Sequence, residues 1–222
     1  MIIAIDGPAG SGKSTVARAL AQRLRALHLD TGAVYRTLAV RALQAGVDLD
    51  DRVSLAALAA GITLDVRDGV LIIDGERPGA EIRTREVSIA ASRSSVHADV
   101  RAILVAKQRE LLLRAGGVAE GRDIGTVVAP DATIKLFLTA TPMERAQRRA
   151  QELTEAGHEV HLDALATEIA ERDERDANRP VSPLKPADDA LVIDTTGRDP
   201  QQLVVELVSL LAGRGLVAEE TS

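Results

Sequence analysis

Residues 7–14 read Gly-Pro-Ala-Gly-Ser-Gly-Lys-Ser, a complete G-x-x-x-x-G-K-[ST] pattern with Gly7, Gly12, Lys13 and Ser14 in the required places. No other feature constrains the fold as tightly, because the pattern needs a strand to deliver the loop and a helix to leave it. Both flanks comply. Ile2-Ile3-Ala4-Ile5 is a short β-branched run that reads as a buried strand, and apolar residues at 16, 20, 24 and 27 give a helical period over Lys13–Leu27. Small residues let successive backbone N–H groups turn inward around an anion, and the helix adds its positive end. Gly7, Pro8, Ala9, Gly10, Ser11, Gly12, Lys13, Ser14 and Thr15 are therefore expected to bind ATP. Lys13, expected in a solvated loop, reaches the β- and γ-phosphates, and the Ser14 hydroxyl ligates magnesium. The bland alternative is a glycine-rich turn without a ligand. The motif alone also leaves a kinase and a nucleotide switch open. The guanine-reading N-K-x-D is excluded, since the one asparagine, Asn178, precedes Arg179. An adenine switch is not.

The rest of the chain alternates strands with helices, which predicts an α/β fold with a parallel sheet covered on both faces. A second helix is expected over 32–45. Ile62–Val66 and Val70–Ile73 flank Arg67-Asp68-Gly69, a hairpin signal that reads as a small antiparallel insertion. Residues 85–114 read as helix with a break near 97–99. Strands are expected at 116–120, 133–138 and 190–194. Thr141-Pro142-Met143-Glu144 predicts an N-cap, a proline in the first turn and a capping box for a helix to about Leu153. Residues 154–161 read as a mobile flap, 162–178 as helix, and Asp199-Pro200 as the start of a last helix to about Leu211. The tail 213–222 is expected to fray.

Composition narrows the classes further. The chain has no cysteine, which excludes disulfides and thiolate chemistry, and only two aromatic residues, Tyr35 and Phe137, which removes stacking platforms for single-stranded nucleic acid. A net charge of −6 argues against coating nucleic acid. Met1–Ile5 leads directly into the motif, and Leu203–Ala212, cut by Glu206, is too short to span a bilayer. The expectation is a cytoplasmic monomer with neither nucleic-acid nor membrane partners. Of 27 basic residues 23 are arginine; coding bias is one reading, bidentate grip on phosphates the other.

Beyond the flap, Arg172, Arg175, Asp176 and Arg179 follow i, i+3, i+4, i+7 on a face that begins apolar with Leu162, Leu165 and Ile169. A solvated face with Arg172–Asp176 and Asp176–Arg179 helix pairs is one reading. Convergence on transferred phosphate is the other. Leu29–Arg36 and Glu120–Gly125 have the same polar, helix-opening character. Ligands of open α/β sheets bind beyond the carboxyl ends of the strands, so all three segments are expected in one crevice.

The set GPAGSGKS, LDTGAVYR at 29–36, EIRT at 81–84, EGRDIGTVVAPDA at 120–132 and RDERDANRPVSPL at 172–184 resembles the bacterial cytidylate kinases, over about residues 2–212. The resemblance implies a single P-loop kinase domain over 1–222, with a monophosphate-binding insertion at about 62–101 and a short helical lid at about 154–161. It implies transfer of the γ-phosphoryl group of ATP to CMP or dCMP. It places Ser92, Arg101 and Asp123 on the cytosine. Thr31, Arg36, Arg83 and Arg122 fall around the acceptor phosphate, and Arg172, Asp176 and Arg179 at the ribose and between the phosphates. Arg148 falls near the donor, and Lys13, Arg122 and Arg172 are the catalytic set. Thr31 stands where serine is frequent, Glu120 where an aspartate occurs, and Ala177 where a basic residue is common.

A phosphate monoester is mostly dianionic at neutral pH, its second pKa being roughly 6, so this nucleophile needs no general base. His28, His97, His158 and His161 show no metal spacing and read as surface or lid residues. The lid and the hairpin at 62–76 are expected to approach the crevice when both substrates bind. Two other functions stay open on sequence: a P-loop kinase for UMP, AMP or a non-nucleotide acceptor, and an ATP-binding regulator without transfer.

Overall fold

The computed structural model describes residues 1–155, 157 and 159–217. In chain order the elements are β1 (Ile2–Asp6), α1 (Lys13–Arg23), β2 (His28–Asp30), α2 (Thr31–Gln44), α3 (Arg52–Ala60), β3 (Leu64–Arg67), β4 (Val70–Ile73), a 3₁₀ turn (Ala80–Arg83), α4 (Arg85–Ser94), α5 (Ala98–Ala115), β5 (Gly117–Gly121), a π turn (Ile124–Val128), β6 (Ile134–Thr139), α6 (Pro142–Glu155), α7 (Leu162–Ala177), β7 (Leu191–Asp194) and α8 (Pro200–Gly213). The strands form one sheet in the order β3-β4-β2-β5-β1-β6-β7. Every pairing is parallel except β3 with β4.

Side-chain alternation along β1 divides the core. Ile3 and Ile5 pack with Val16 and Leu20 of α1 and Leu203 and Leu207 of α8, while Ala4 faces a larger cluster built on α2, α3, α4 and α5. The register brings Asp6 beside Gly121 and Asp30 beside Glu120, so the carboxyl ends of β1, β2 and β5 lie together at one end of the sheet. Asp6 also ties two of the resulting loops to each other. Its carboxylate accepts from the N–H groups of Ile124 (2.8 Å) and Gly125 (2.7 Å) in the π turn.

Burial raises the Asp6 pKa to about 6, against those two hydrogen bonds. Its folded value lies above its unfolded one, so the folded protein holds the proton between about pH 4 and pH 6, and ionisation over that range costs stability. Wild type should therefore lose stability relative to Asp6→Asn as pH rises through that window, by on the order of 3 kcal/mol. Urea unfolding of both proteins at pH 4 and pH 7 measures the difference; a pH-independent gap would contradict the burial argument.

Several expectations are corrected. α1 ends at Arg23, not Leu27, because Arg25 takes a left-handed conformation (φ 50°) and sends Leu27 into the core on the opposite side of the sheet. α3 adds to the expected elements: Asp51 caps it by accepting from the N–H groups of Val53 and Ser54, and it buries Leu55 and Ala59. The capping box of α6 is half formed. Glu144 N–H donates to Thr141 Oγ1, but the Glu144 carboxylate pairs with Arg148, and Thr141 N–H donates to Thr196 Oγ1. The hairpin turns at Asp68 and Gly69, both at positive φ, as its Asp-Gly signal predicts. It extends the sheet edge through one β4–β2 pairing, His28 with Val70. The helix break expected near 97–99 falls between Ser94 and Ala98. The flap expectation includes residues 156 and 158, which, with 218–222 of the tail, lie outside the described residues. Before them the tail is held rather than frayed, with Leu216 and Val217 packed on the α1–α8 cluster. Among the described residues no helix is long and apolar enough to cross a membrane.

Candidate active site

The loops after β1, β2 and β5 open into one cleft of about 510 Å3, walled by α4, α6 and α7. Gly7 begins the first loop at φ 148°, pressed against β6: a Cβ there would stand 2.0 Å from the Leu138 carbonyl oxygen, so no side chain fits. Lys13 is buried (6% exposed), against the expectation of a solvated loop. Its Nζ folds back to donate to the Pro8 carbonyl at 2.6 Å. Ser14 lines the cleft and its hydroxyl donates to Glu120 Oε2 at 2.6 Å, and Glu120 Oε1 lies 2.9 Å from His28 Nε2. His28 is thus a partner of the site rather than a surface residue. His97 Nε2 meets the Leu49 carbonyl at 2.8 Å, His161 is exposed at the start of α7, and His158 lies outside the described residues.

Charge in the cleft runs opposite to the chain. Among the described residues nine cationic side chains and five carboxylates line it, in a protein of net charge −6. Burial, then the like charges of Arg122 and Arg172, bring Lys13 down to about 7 in spite of Glu120 and Asp6. Such crowding costs free energy that an anionic ligand relieves.

At the far end of the cleft, Arg122 of the β5 loop donates to Asp176 of α7 (Nε to Oδ2, 2.9 Å). Burial works to raise the Asp176 carboxyl, but Arg122, Arg172 and Arg179 outweigh it and hold its pKa below the ordinary value. The helix pairs expected from sequence are looser, 4.0 Å from Arg172 and 3.9 Å from Arg179. Arg175 leaves the stripe altogether: it is exposed and sits 3.9 Å from Glu171. Asp123 forms a buried ion pair with Arg101, whose guanidinium lies 5.2 Å from the centroid of the Tyr35 ring.

All ten residues expected on the acceptor nucleotide line this cleft: Thr31, Arg36, Arg83, Ser92, Arg101, Arg122, Asp123, Arg172, Asp176 and Arg179. Several of their buried polar atoms have no hydrogen-bond partner, among them Ser92 Oγ, Arg36 Nε, Arg101 Nε, Arg172 Nε and Arg179 Nη2. Each such atom costs about 1–3 kcal/mol unless a ligand or water satisfies it. Thr31 departs from its expected use, since its hydroxyl proton is committed to the Glu120 carbonyl at 2.6 Å. Arg148 is not in the cleft. It lies behind Gly12, donates to the Thr195 hydroxyl and carbonyl, and pairs with Glu144. Among the described residues, the 62–76 hairpin also contributes nothing to the lining. Sequence reasoning missed Asp6 and His28 as parts of this region, and it placed Tyr35 there only as a member of the segment 29–36, with no role of its own. Only Tyr35 carried a signal, its place within LDTGAVYR.

A phosphate-binding loop at the end of a parallel strand, opening into an arginine-lined cleft, defines a P-loop phosphotransferase. The chain belongs to the cytidylate kinase family, whose model matches residues 3–212. Its activity is that family's, ATP-dependent phosphorylation of CMP or dCMP. It is 49% identical to the cytidylate kinase of Shewanella loihica over 88% of this chain and 87% of that one. It is 43% identical to that of Pasteurella multocida over 95% of each, and 47% identical to that of Desulforamulus reducens over 93% of this chain and 95% of the other. Two solved structures share the fold at low identity. An uncharacterized protein from Eubacterium ventriosum has a TM-score of 0.56 at 15% identity, covering 96% of this chain and 99% of its own. A gluconokinase from Sinorhizobium meliloti has a TM-score of 0.50 at 18% identity, covering 96% and 92%.

Proposed function

We propose a division of labour within the cleft. Asp123, Arg101 and Ser92 read the cytosine: the carboxylate accepts from the ring amino group, and the arginine donates to ring N3 and O2. Arg36, Arg83 and Arg122 hold the acceptor phosphate, with Thr31 joining once its hydroxyl turns. Arg172, Asp176 and Arg179 hold the ribose and bridge the phosphates. Residues 7–15 cradle ATP, and Arg148 acts on the donor side only through Thr195 and the back of the loop. One observation carries this reading: nine cations against five carboxylates, with unpartnered donors concentrated on the acceptor residues.

The acceptor's phosphate oxygen attacks the γ-phosphorus in line, a new P–O bond forms, and the bond to ADP breaks. With no proton to remove, the side chains act by position and charge. Lys13, Arg122 and Arg172 neutralise the oxygens that gain charge. The hydroxyl of Ser14 and the carboxylate of Glu120, hydrogen-bonded at the cleft wall, are hard oxygen donors of the kind magnesium takes, Ser14 directly and Glu120 beside it. When bound, magnesium supplies charge neutralisation on the donor phosphates. The protein is proposed to act as a monomer in the cytoplasm.

We also read residues 1–222 as one kinase domain with an acceptor insertion at about 62–101 and a lid at about 154–161. Of the insertion, the parts that meet the cleft are Arg83, α4, Ser95 and Arg101, so the stretch from Arg83 onward should close. Hydrogen exchange with a bisubstrate analogue should show protection over 80–95 and 154–161, and little over the hairpin at 62–76. Unchanged protection over 80–95 would count against closure.

A further inference from the structure

The phosphate-binding loop is held from two directions. On the sheet side, the Thr195 hydroxyl just beyond β7 lies 3.1 Å from the Ser11 carbonyl and 3.0 Å from the Thr139 carbonyl. Two helices hold the other side. Ala9 N–H donates to Asp173 Oδ1 of α7 at 3.2 Å, and Arg145 Nη1 of α6 donates to the Ala9 carbonyl at 3.0 Å. Arg145 and Asp173 form an ion pair with each other, and Arg145 Nε donates to the Ala140 carbonyl at the end of β6. Both backbone groups of one loop residue are thus gripped by one ion pair. The neighbouring residue has no slack: Gly10 sits at φ 74°, and a Cβ there would lie 2.7 Å from the Arg145 carbonyl oxygen. Arg145 is itself buried.

The two supports differ in what they move with. Thr195 belongs to the sheet. Asp173 and Arg145 belong to the helices on either side of the 156–161 segment, and Asp173 shares a turn of α7 with Arg172 and Asp176, which line the acceptor end of the cleft. A shift of α7 that adjusts Arg172 and Asp176 must also pull on Ala9. We propose that Asp173 and Arg145 are positioning residues that couple the acceptor-binding face of α7 to the phosphate-binding loop, making the binding of the two nucleotides mutually dependent. The proposal rests on the assignment of acceptor and donor to the two ends of this cleft.

Calorimetric titration of CMP, with and without a saturating non-hydrolysable ATP analogue, reads the coupling directly. Wild type should bind CMP at least about fivefold more tightly with the analogue, and by linkage the analogue should gain the same factor from CMP. In Asp173→Ala this ratio should fall close to one, while CMP affinity alone changes by less than about twofold. Asp173→Asn, which keeps the volume and one acceptor oxygen, should give an intermediate ratio. A wild-type ratio of one, or variant ratios equal to wild type, would overturn the proposal. A second arm needs no acceptor: in the ligand-free protein, amide exchange over 7–14, taken relative to that of β5 and β6 in the same protein, should be about tenfold faster in Asp173→Ala, which leaves Arg145 with carbonyl partners alone. Equal exchange over 7–14 would also overturn it. A wild type that binds no CMP would instead refute the acceptor assignment, and the exchange arm would still report on the coupling.

Discussion

Lys13→Ala should lower kcat by at least ~100-fold while leaving a folded protein, because the ammonium acts on charge that develops at the transferring phosphoryl group. The structure adds a stability prediction that the sequence did not offer. Lys13 is a buried cation crowded by Arg122 and Arg172 and held near pKa 7. Removing it relieves that crowding at the loss of its hydrogen bonds to the Pro8 carbonyl and, at 3.4 Å, the Ser11 hydroxyl. The variant's Tm should therefore equal or exceed that of wild type, the usual sign of a residue kept for function at the expense of stability. Circular dichroism melts and steady-state kinetics on the same preparation test both halves. Near-normal turnover in a folded variant would contradict the phosphate-loop assignment.

The second large effect concerns base choice. Asp123→Ala, the obvious test from sequence, is compromised by the structure, because it would strand Arg101 as a buried unpaired cation, a class of change that costs about 3–5 kcal/mol. Asp123→Asn keeps the shape. It should narrow the preference for CMP over UMP by about 10- to 100-fold in kcat/KM, the equivalent of about 1.5–3 kcal/mol for a buried hydrogen bond to a charged acceptor. Uracil presents O4 and N3–H where cytosine presents an amino group and N3, so an amide no longer distinguishes them as a carboxylate does. Were Asp123 only the anchor of Arg101, activity on CMP and UMP would fall in equal proportion.

How much of this was legible beforehand depends on the range of the interaction. The phosphate loop, its strand and the start of its helix are local, written in eight consecutive residues and an apolar period, and they stand where the sequence puts them, although the helix stops at Arg23 rather than Leu27. The hairpin turn at Asp68-Gly69 is equally local. That residues 29–36, 120–125 and 172–179 share one cleft followed from strand polarity alone. What could not be read is which partner each charge takes. Asp176 lies one turn from both Arg172 and Arg179, yet its close partner is Arg122, 54 residues away. Arg175, at helical spacing from the stripe, points out of it. Asp123 sits next to Arg122 in sequence and pairs with Arg101. The grip of Asp173 and Arg145 on Ala9 spans more than 130 residues and leaves no pattern in the chain. The burial of Lys13 is absent from the motif for a related reason: burial of a polar side chain is decided by what packs over it, and the loop pattern does not encode that.

Acceptor choice separates a cytosine-reading cleft from its rivals. Coupled ADP release with ATP and a panel of CMP, dCMP, UMP and AMP measures it in one experiment on the wild-type protein. CMP or dCMP should give the highest kcat/KM, with UMP and AMP each lower by at least about tenfold, since Asp123 and Arg101 are complementary to cytosine and leave either rival with unpaired polar groups. Equal turnover of CMP and UMP, or turnover of AMP above both, would contradict the reading of this cleft.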